Sequence, residues 1–251
     1  GYYIESIVET SDGKIICGGI KLCVFDEKAR KFTPLPSLGG GFILSLAIDQ
    51  DDQLYVATNS CIYAYNTKLN QISKLDTGIY KDFITGSDGI IPMTFDHAGR
   101  LWIGRNGKGV MALDVKTGNT RVYEANQLSD GTVRVITEDH KHNIWLGTEQ
   151  GVTIIGQDGS IKTLKQQFGN INQLSDNAIY SILSDSNHNI WIGSYFGGVD
   201  MIKNSSPFSW EGPSYSPNKL QGKVVRQIIE RNPNELWIAT EDGGLNIYNP
   251  M

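Results

Sequence analysis

No stretch of this 251-residue chain approaches the ~18 consecutive apolar residues that a membrane-spanning helix needs, and none reads as a transmembrane segment. Nor does any window of useful length keep apolar residues at helical spacing without a Gly or Asn breaking it; the best candidate, Ser160 to Phe168, is too short. The three cysteines, Cys17, Cys23 and Cys61, are an odd number in strand-like runs. They make no disulfide framework and read as small buried apolar residues, Cys17 and Cys23 on adjacent strands of one hairpin. Strong charge of either sign is also missing: the net charge is -5, and the 22 basic residues are scattered, which argues against a nucleic-acid surface. The four histidines, His97, His140, His142 and His188, fall in tight turns with no Cys or carboxylate set to complete a metal site, so no metal is expected. There is no Gly-x-Ser-x-Gly elbow and no Gly-rich phosphate loop, and no cofactor is expected.

What the chain does have is a repeated phrase: an apolar residue, an aromatic, an aliphatic, a small residue, then a polar loop and a second apolar run. The clear copies are Leu101-Trp102-Ile103-Gly104, Ile144-Trp145-Leu146-Gly147, Ile190-Trp191-Ile192-Gly193 and Leu236-Trp237-Ile238-Ala239. Degenerate copies stand at Leu54-Tyr55-Val56-Ala57 and Ile15-Ile16-Cys17-Gly18. The steps between the six copies are 39, 47, 43, 46 and 46 residues, a period that marks an array of like units.

Each unit divides into short runs rich in β-branched and aromatic residues, bounded by Gly, Asn, Asp and Ser, and four strands per unit follow. First strands such as Val133-Arg134-Val135-Ile136 and Val224-Val225-Arg226-Gln227-Ile228-Ile229 look apolar on both faces, which predicts sheets covered on both sides. A four-stranded sheet between two others of its kind is a propeller blade. The predicted fold is all-β: one β-propeller domain, or part of one, over residues 1–251, of six four-stranded blades. These fall near 2–38, 42–78, 90–125, 132–168, 178–211 and 224–250, the last lacking its outer strand, and the chain reads as a piece of a larger protein. WD40 repeats are excluded by the absence of any Trp-Asp dipeptide. Kelch repeats are excluded because the glycine pairs Gly197-Gly198 and Gly243-Gly244 follow the aromatic strand instead of preceding it. The four tryptophans at equivalent positions are expected to be core.

The fifth unit, Ser175-Asp176-Asn177-Ala178-Ile179-Tyr180 leading to Asn189-Ile190-Trp191-Ile192-Gly193-Ser194-Tyr195-Phe196-Gly197-Gly198-Val199, resembles the two-component regulator propeller repeat. So do Leu128-Ser129-Asp130 leading to Ile144-Trp145-Leu146-Gly147-Thr148, and Val225-Arg226 leading to Trp237-Ile238-Ala239-Thr240-Glu241-Asp242-Gly243-Gly244. The resemblance implies a periplasmic, non-catalytic sensor segment of a membrane-bound histidine kinase, in many cases a hybrid two-component system responding to glycan-derived oligosaccharides. It also implies partners outside this segment: a second propeller and a β-sandwich of the same chain, and a second copy in a homodimeric receptor. No nucleic acid and no membrane contact by this segment are expected. A protein-interaction scaffold is the alternative, and a propeller lyase or hydrolase a more remote one.

Strand alternation puts the loops between second and third strands, and those entering the first, on one face, and the tight turns holding the histidines on the other. The first set is the more varied, and varied loops on a rigid frame are where binding usually resides. The candidate ligand-binding residues follow. Tyr195 and Phe196 offer aromatic faces for a sugar ring. Arg105 replaces the small hydroxyl found in other units and, with Lys108, offers a clasp for a carboxylate or sulfate. Arg134 and Arg226 begin first strands and either face a ligand or pair with Glu149 and Glu241, which are themselves candidates as acceptors.

Overall fold

The structure, a computed structural model, describes residues 4–27, 29–36, 38, 41–75, 91–105, 107–167, 173–204, 206–211 and 220–249, with the backbone alone at 206–211. The chain is all-β, a propeller fold of six antiparallel sheets in which each strand pairs with the next in sequence. The first blade holds β1 (Ile4–Glu9), β2 (Ile15–Gly19), β3 (Cys23–Asp26) and β4 (Lys31–Pro34). The second holds β5 (Ile43–Ile48), β6 (Gln53–Thr58), β7 (Ile62–Asn66) and β8 (Gln71–Lys74). The third holds β9 (Met93–Phe95), β10 (Arg100–Arg105), β11 (Gly109–Asp114) and β12 (Thr120–Glu124). The fourth holds β13 (Val133–Glu138), β14 (Ile144–Thr148), β15 (Gly151–Ile155) and β16 (Ile161–Leu164), and the fifth β17 (Ile179–Ser184), β18 (Ile190–Ser194), β19 (Val199–Lys203) and β20 (Ser206–Glu211). The sixth has three strands, β21 (Val225–Asn232), β22 (Glu235–Thr240) and β23 (Gly244–Tyr248). The only helical element among the described residues is one 3-10 turn at Ala125–Gln127; of the segment considered for a helix, Ile161–Leu164 form β16 and Phe168 lies outside the described residues.

Two compact units divide the chain, Gly1–Asn106 with Val110–Val122, and Gly107–Gly109 with Tyr123–Met251. Within the first, β1 lies beside β5 and β5 beside β9; within the second, β13 lies beside β17 and β17 beside β21. First strands of successive blades are thus neighbours, and the apolar cores lie between blades. In the second unit one core joins Trp145 and Val152 to Ile179, Ile182 and Ile192, and the next joins Trp191 and Val199 to Val225, Ile228 and Ile238. The small residue of the repeat is what admits this approach. A Cβ on Gly147 would lie 2.7 Å from Ile179 Cγ2, and one on Gly193 2.5 Å from Val225 Cγ1, closer than carbon atoms can come.

Three tryptophans are each fixed by an aspartate six residues earlier in the hairpin turn. Trp102 Nε1 donates to Asp96 Oδ2 at 2.7 Å, and Trp145 and Trp191 donate to Asp139 and Asp185 at 2.8 Å. The other oxygen of the same carboxylate accepts turn amides, those of Lys141 and Asn143 on Asp139 and that of Asn189 on Asp185. These bonds hold Asp139 below the usual carboxylate range even though its burial pushes the other way. In the sixth blade the clasp moves: Trp237 donates to Glu235 Oε1 at 2.7 Å.

In the second unit the entry to each first strand is latched as well. Leu128, Leu174 and Leu220 are buried, and the residue after each is tied to the third strand: Ser129 to Thr153, Ser175 to Asp200 and Gln221 to Asn246. The Asp200 carboxyl, almost wholly buried, accepts from the Ser175 amide and hydroxyl at 3.0 Å, and burial pushes its pKa up to about 6.

The two end blades depart from the expectation that first strands are covered on both faces. β1 leaves Ile7 exposed and β21 leaves Ile229 exposed, and β22 alternates between buried and half-buried where β14 and β18 are buried throughout. Trp237 is accordingly half-buried, unlike Trp102, Trp145 and Trp191. All three cysteines are buried and free, with Cys17 opposite Cys23 across β2 and β3.

Trp191→Ala should cost about 3–5 kcal/mol in an equilibrium melt, and Asp185→Ala about 1–3 kcal/mol by orphaning buried donors. Asp200 titrates with the opposite sign from most carboxylates. Its raised folded-state pKa favours the fold in acid, and that contribution is lost as pH rises through about 6. Asp200→Asn, which copies Asn246 of the next blade, should therefore raise stability at pH 7.5 by up to about 3 kcal/mol and by much less at pH 4.5. Urea titrations at the two pH values check this.

Candidate functional site

The varied-loop side of the second unit is organised by one irregularity of the backbone. In β13, Val133 faces Thr148 and Val135 faces Gly147, so Arg134 is an extra residue in a β-bulge. The same shift leaves Tyr180 extra between Ile179 and Ser181, and Arg226 extra between Val225 and Gln227. A bulge interrupts alternation and re-aims the side chain it carries. Three successive first strands, neighbours in space, therefore present Arg134, Tyr180 and Arg226 at equivalent positions 46 residues apart. In the first unit the bulge falls on Glu5 and Leu44.

Partners come from the residue just past each second strand. Glu149, Tyr195 and Glu241 share the same 46-residue spacing, each following a hydroxyl residue that ties its loop down: Thr148 Oγ1 donates to Gly151 O at 2.8 Å, Ser194 Oγ to Gly198 O at 3.1 Å and Thr240 Oγ1 to Gly244 O at 3.1 Å. Arg134 pairs with Glu149 through both Nε and Nη2, and Arg226 Nη2 meets Glu241 Oε2 at 2.7 Å. Both guanidinium groups also lie over the Tyr180 ring, at 4.5 Å and 5.2 Å from its centroid. Tyr180 packs on Tyr195 at 5.2 Å, and Tyr195 meets Phe196 edge-on at 4.4 Å. Burial raises the Tyr180 phenol pKa above its ordinary value, with the two arginines opposing that rise.

The result is a continuous row, Glu149–Arg134–Tyr180–Arg226–Glu241, flanked by Tyr195 and Phe196. Its two ends differ. The Arg134 side chain is 15% exposed and that of Glu149 32%, whereas Arg226 and Glu241 are about half exposed at 49% and 52%. Phe196 is 66% exposed, and its backbone is fixed: the Phe196 amide donates to Asp176 Oδ2 at 2.9 Å and the Tyr195 amide to Ala178 O at 2.9 Å. An exposed aromatic face on a pinned loop, beside a half-exposed guanidinium and carboxylate, can stack on an apolar ring face and bond hydroxyl groups at its edge.

The structure thus brings together six of the eight residues singled out from the sequence. Arg105 and Lys108 are not among these six. Arg105, at the end of β10 in the first unit, is only 7% exposed, so the place of the small hydroxyl is taken by a guanidinium turned inward, not one open to solvent. Lys108 is half-buried and falls in the second unit, and Asn106 between them lies outside the described residues. Tyr180, at the centre of the row, is the residue sequence reading missed. Its signal was the 46-residue register with Arg134 and Arg226.

Among curated proteins, no relative matches the chain. Solved structures of similar fold include the extracellular domain of the putative hybrid two component system BT4673 from B. thetaiotaomicron, at 17% identity and a TM-score of 0.76 over 99% of this chain and 33% of that one. The corresponding domain of BT3049 from the same organism has 18% identity and a TM-score of 0.62 over 99% and 40%. The virginiamycin B lyase of Staphylococcus aureus has 16% identity and a TM-score of 0.68 over 99% and 84%. At these identities the likeness is one of fold, and the chain spans between a third and two fifths of the two sensor domains. Sequence motifs go further. Residues 127–150 and 173–196, which carry the latched entry, the bulge and the clasped tryptophan of the fourth and fifth blades, match the two-component regulator propeller model. The fold is that of a propeller, and these two segments match the two-component regulator propeller repeat.

Proposed function

We propose that this chain is a non-catalytic ligand-sensing segment on the extracytoplasmic, periplasmic side of a membrane-bound two-component histidine kinase, and that its ligand is a glycan-derived oligosaccharide. The observation that carries this is the pinned, exposed Phe196 against Tyr195, beside the half-exposed Arg226 and Glu241. Support comes from the family repeats and from sensor structures of the same fold that are extracellular domains. Among the described residues no helix is long and apolar enough to cross a membrane.

The histidines sit in turns remote from this row along each blade, and no nucleophile and base pair stands in it, which weighs against the lyase reading suggested by the fold alone. A scaffold role has one observation in its favour: Ile229, Leu245 and Ile247 of the sixth blade are 44%, 57% and 61% exposed, an apolar face suited to a protein partner. Further domains of the same chain, or a second receptor copy, are the partners proposed for it.

Calorimetric titration against a panel of neutral and acidic oligosaccharides tests the sensing reading. Phe196→Ala should weaken any binding found by about tenfold or more, the loss of a stacked ring, and leave the melting temperature nearly unchanged because the ring is exposed. Binding that survives both Phe196→Ala and Arg226→Ala places the ligand elsewhere. Absence of binding across the panel, with a partner domain captured through Ile229, Leu245 and Ile247, favours the scaffold.

A further inference from the structure

The hairpin-turn side of the second unit holds a cleft of different chemistry. Between the fourth and fifth blades lies a cleft of about 330 Å³, entered past the Asp139 turn and the third and fourth strands. Its floor is apolar, made by Trp145, Ile154, Ile190 and Ile202. Its rim is cationic: Lys141, Lys162 and Lys203 come from three separate segments, and none of them forms an ion pair among the described residues. The sole carboxylate in the lining, Asp139, has its oxygens taken by the Trp145 indole, the Asn143 side chain and two turn amides. In a chain of net charge -5, three lysines around one apolar cleft, with no ion pair among the described residues and only Asp158 acting at longer range on Lys162, mark a local excess of positive charge.

Two histidines complete the lining. His140 and His188 occupy equivalent turns of the two blades and stack at 4.3 Å with their planes 20° apart. The Nδ1 atom of His140 is closed off from solvent and has no hydrogen-bond partner. The stacked pair adds imidazole nitrogens to the ammonium groups, while the indole and isoleucines can hold only an apolar face.

From this arrangement we infer an anion site that takes a ring-sized organic molecule bearing a sulfate or phosphate group, the ring against Trp145 and the oxyanion among Lys141, Lys162 and Lys203. It is separate in residues and in chemistry from the Phe196 row and does not depend on that row binding a glycan. Lysines suit the task because each is a point charge on a flexible stem, able to close on a tetrahedral oxyanion without fixed geometry.

The test is an NMR titration of the chain with glucose 6-sulfate and glucose 6-phosphate at constant ionic strength, following the imidazole C–H resonances of His140 and His188. Inorganic sulfate, inorganic phosphate and sodium chloride serve as parallel arms. Saturable shifts are expected with the sugar esters, at an affinity about tenfold or more above that for the inorganic anions. The Lys162→Gln/Lys203→Gln double variant should lose about tenfold or more of that affinity while its melting temperature stays put, both side chains being exposed. Equal affinity for ester and inorganic anion overturns the ring's part in the inference. Shifts reproduced by chloride, or unchanged in the double variant, overturn the site itself.

Discussion

A buried carboxylate that receives an indole N–H on one oxygen and hairpin amides on the other is the constraint on which the blades depend. Asp96, Asp139 and Asp185 each do this, and each is buried. An aspartate in such a place is costly without partners, and a tryptophan N–H needs an acceptor once covered. Each satisfies the other. The bond fixes where the hairpin turns, and so which residues of the second strand face the neighbouring blade, and it orients the largest side chain of the inter-blade core. The variants of the theme follow its chemistry. In the second blade Tyr55 replaces tryptophan and lacks the ring N–H, and Asp49 there serves only turn amides. In the sixth blade Glu235 supplies the carboxylate from two residues away and Arg231 lies 5.3 Å over the exposed side of Trp237.

With the turns fixed at one end of each blade, irregularity is concentrated at the other. The bulge at the head of the first strand recurs at Arg134, Tyr180 and Arg226, and it converts a repeat built for packing into a row of like-placed side chains facing one way. Identical frames then carry different chemistry: a partly buried ion pair at Arg134 and Glu149, an aromatic pair at Tyr180 and Tyr195, and a half-exposed ion pair at Arg226 and Glu241. Cation over ring contributes of order 0.5–1 kcal/mol per pair at such exposure, enough to order the row without closing it to solvent.

Much of this was legible in the sequence, and the limits have physical reasons. Blade number, strand order and the burial of Trp102, Trp145 and Trp191 follow from composition and period, because packing needs only residue type and spacing. The aspartate clasp was visible as a fixed offset of six residues, but a turn aspartate has an adequate explanation in the turn alone, and its second oxygen went unread. Bulges are set by pairing register between strands, which no single strand announces, so Tyr180 was overlooked. Arg105 illustrates the opposite case: replacement of a small hydroxyl by a guanidinium suggested a charge offered to solvent, yet the strand end on which it sits is buried. The exposed faces of β1 and β21 escaped notice because apolar alternation predicts what a sheet would cover, not whether anything covers it.

Exchange of the indole N–H protons measured by NMR tests the central role of the clasp most directly. If the aspartate bond is what holds each blade together, the indole protons of Trp102, Trp145 and Trp191 exchange with deuterium only through unfolding of their unit, as slowly as the slowest amides of β14 and β18. Trp237, clasped by a glutamate and half-exposed, exchanges faster. Indole protons of Trp145 and Trp191 that exchange by local opening, well ahead of those strand amides, would contradict the account.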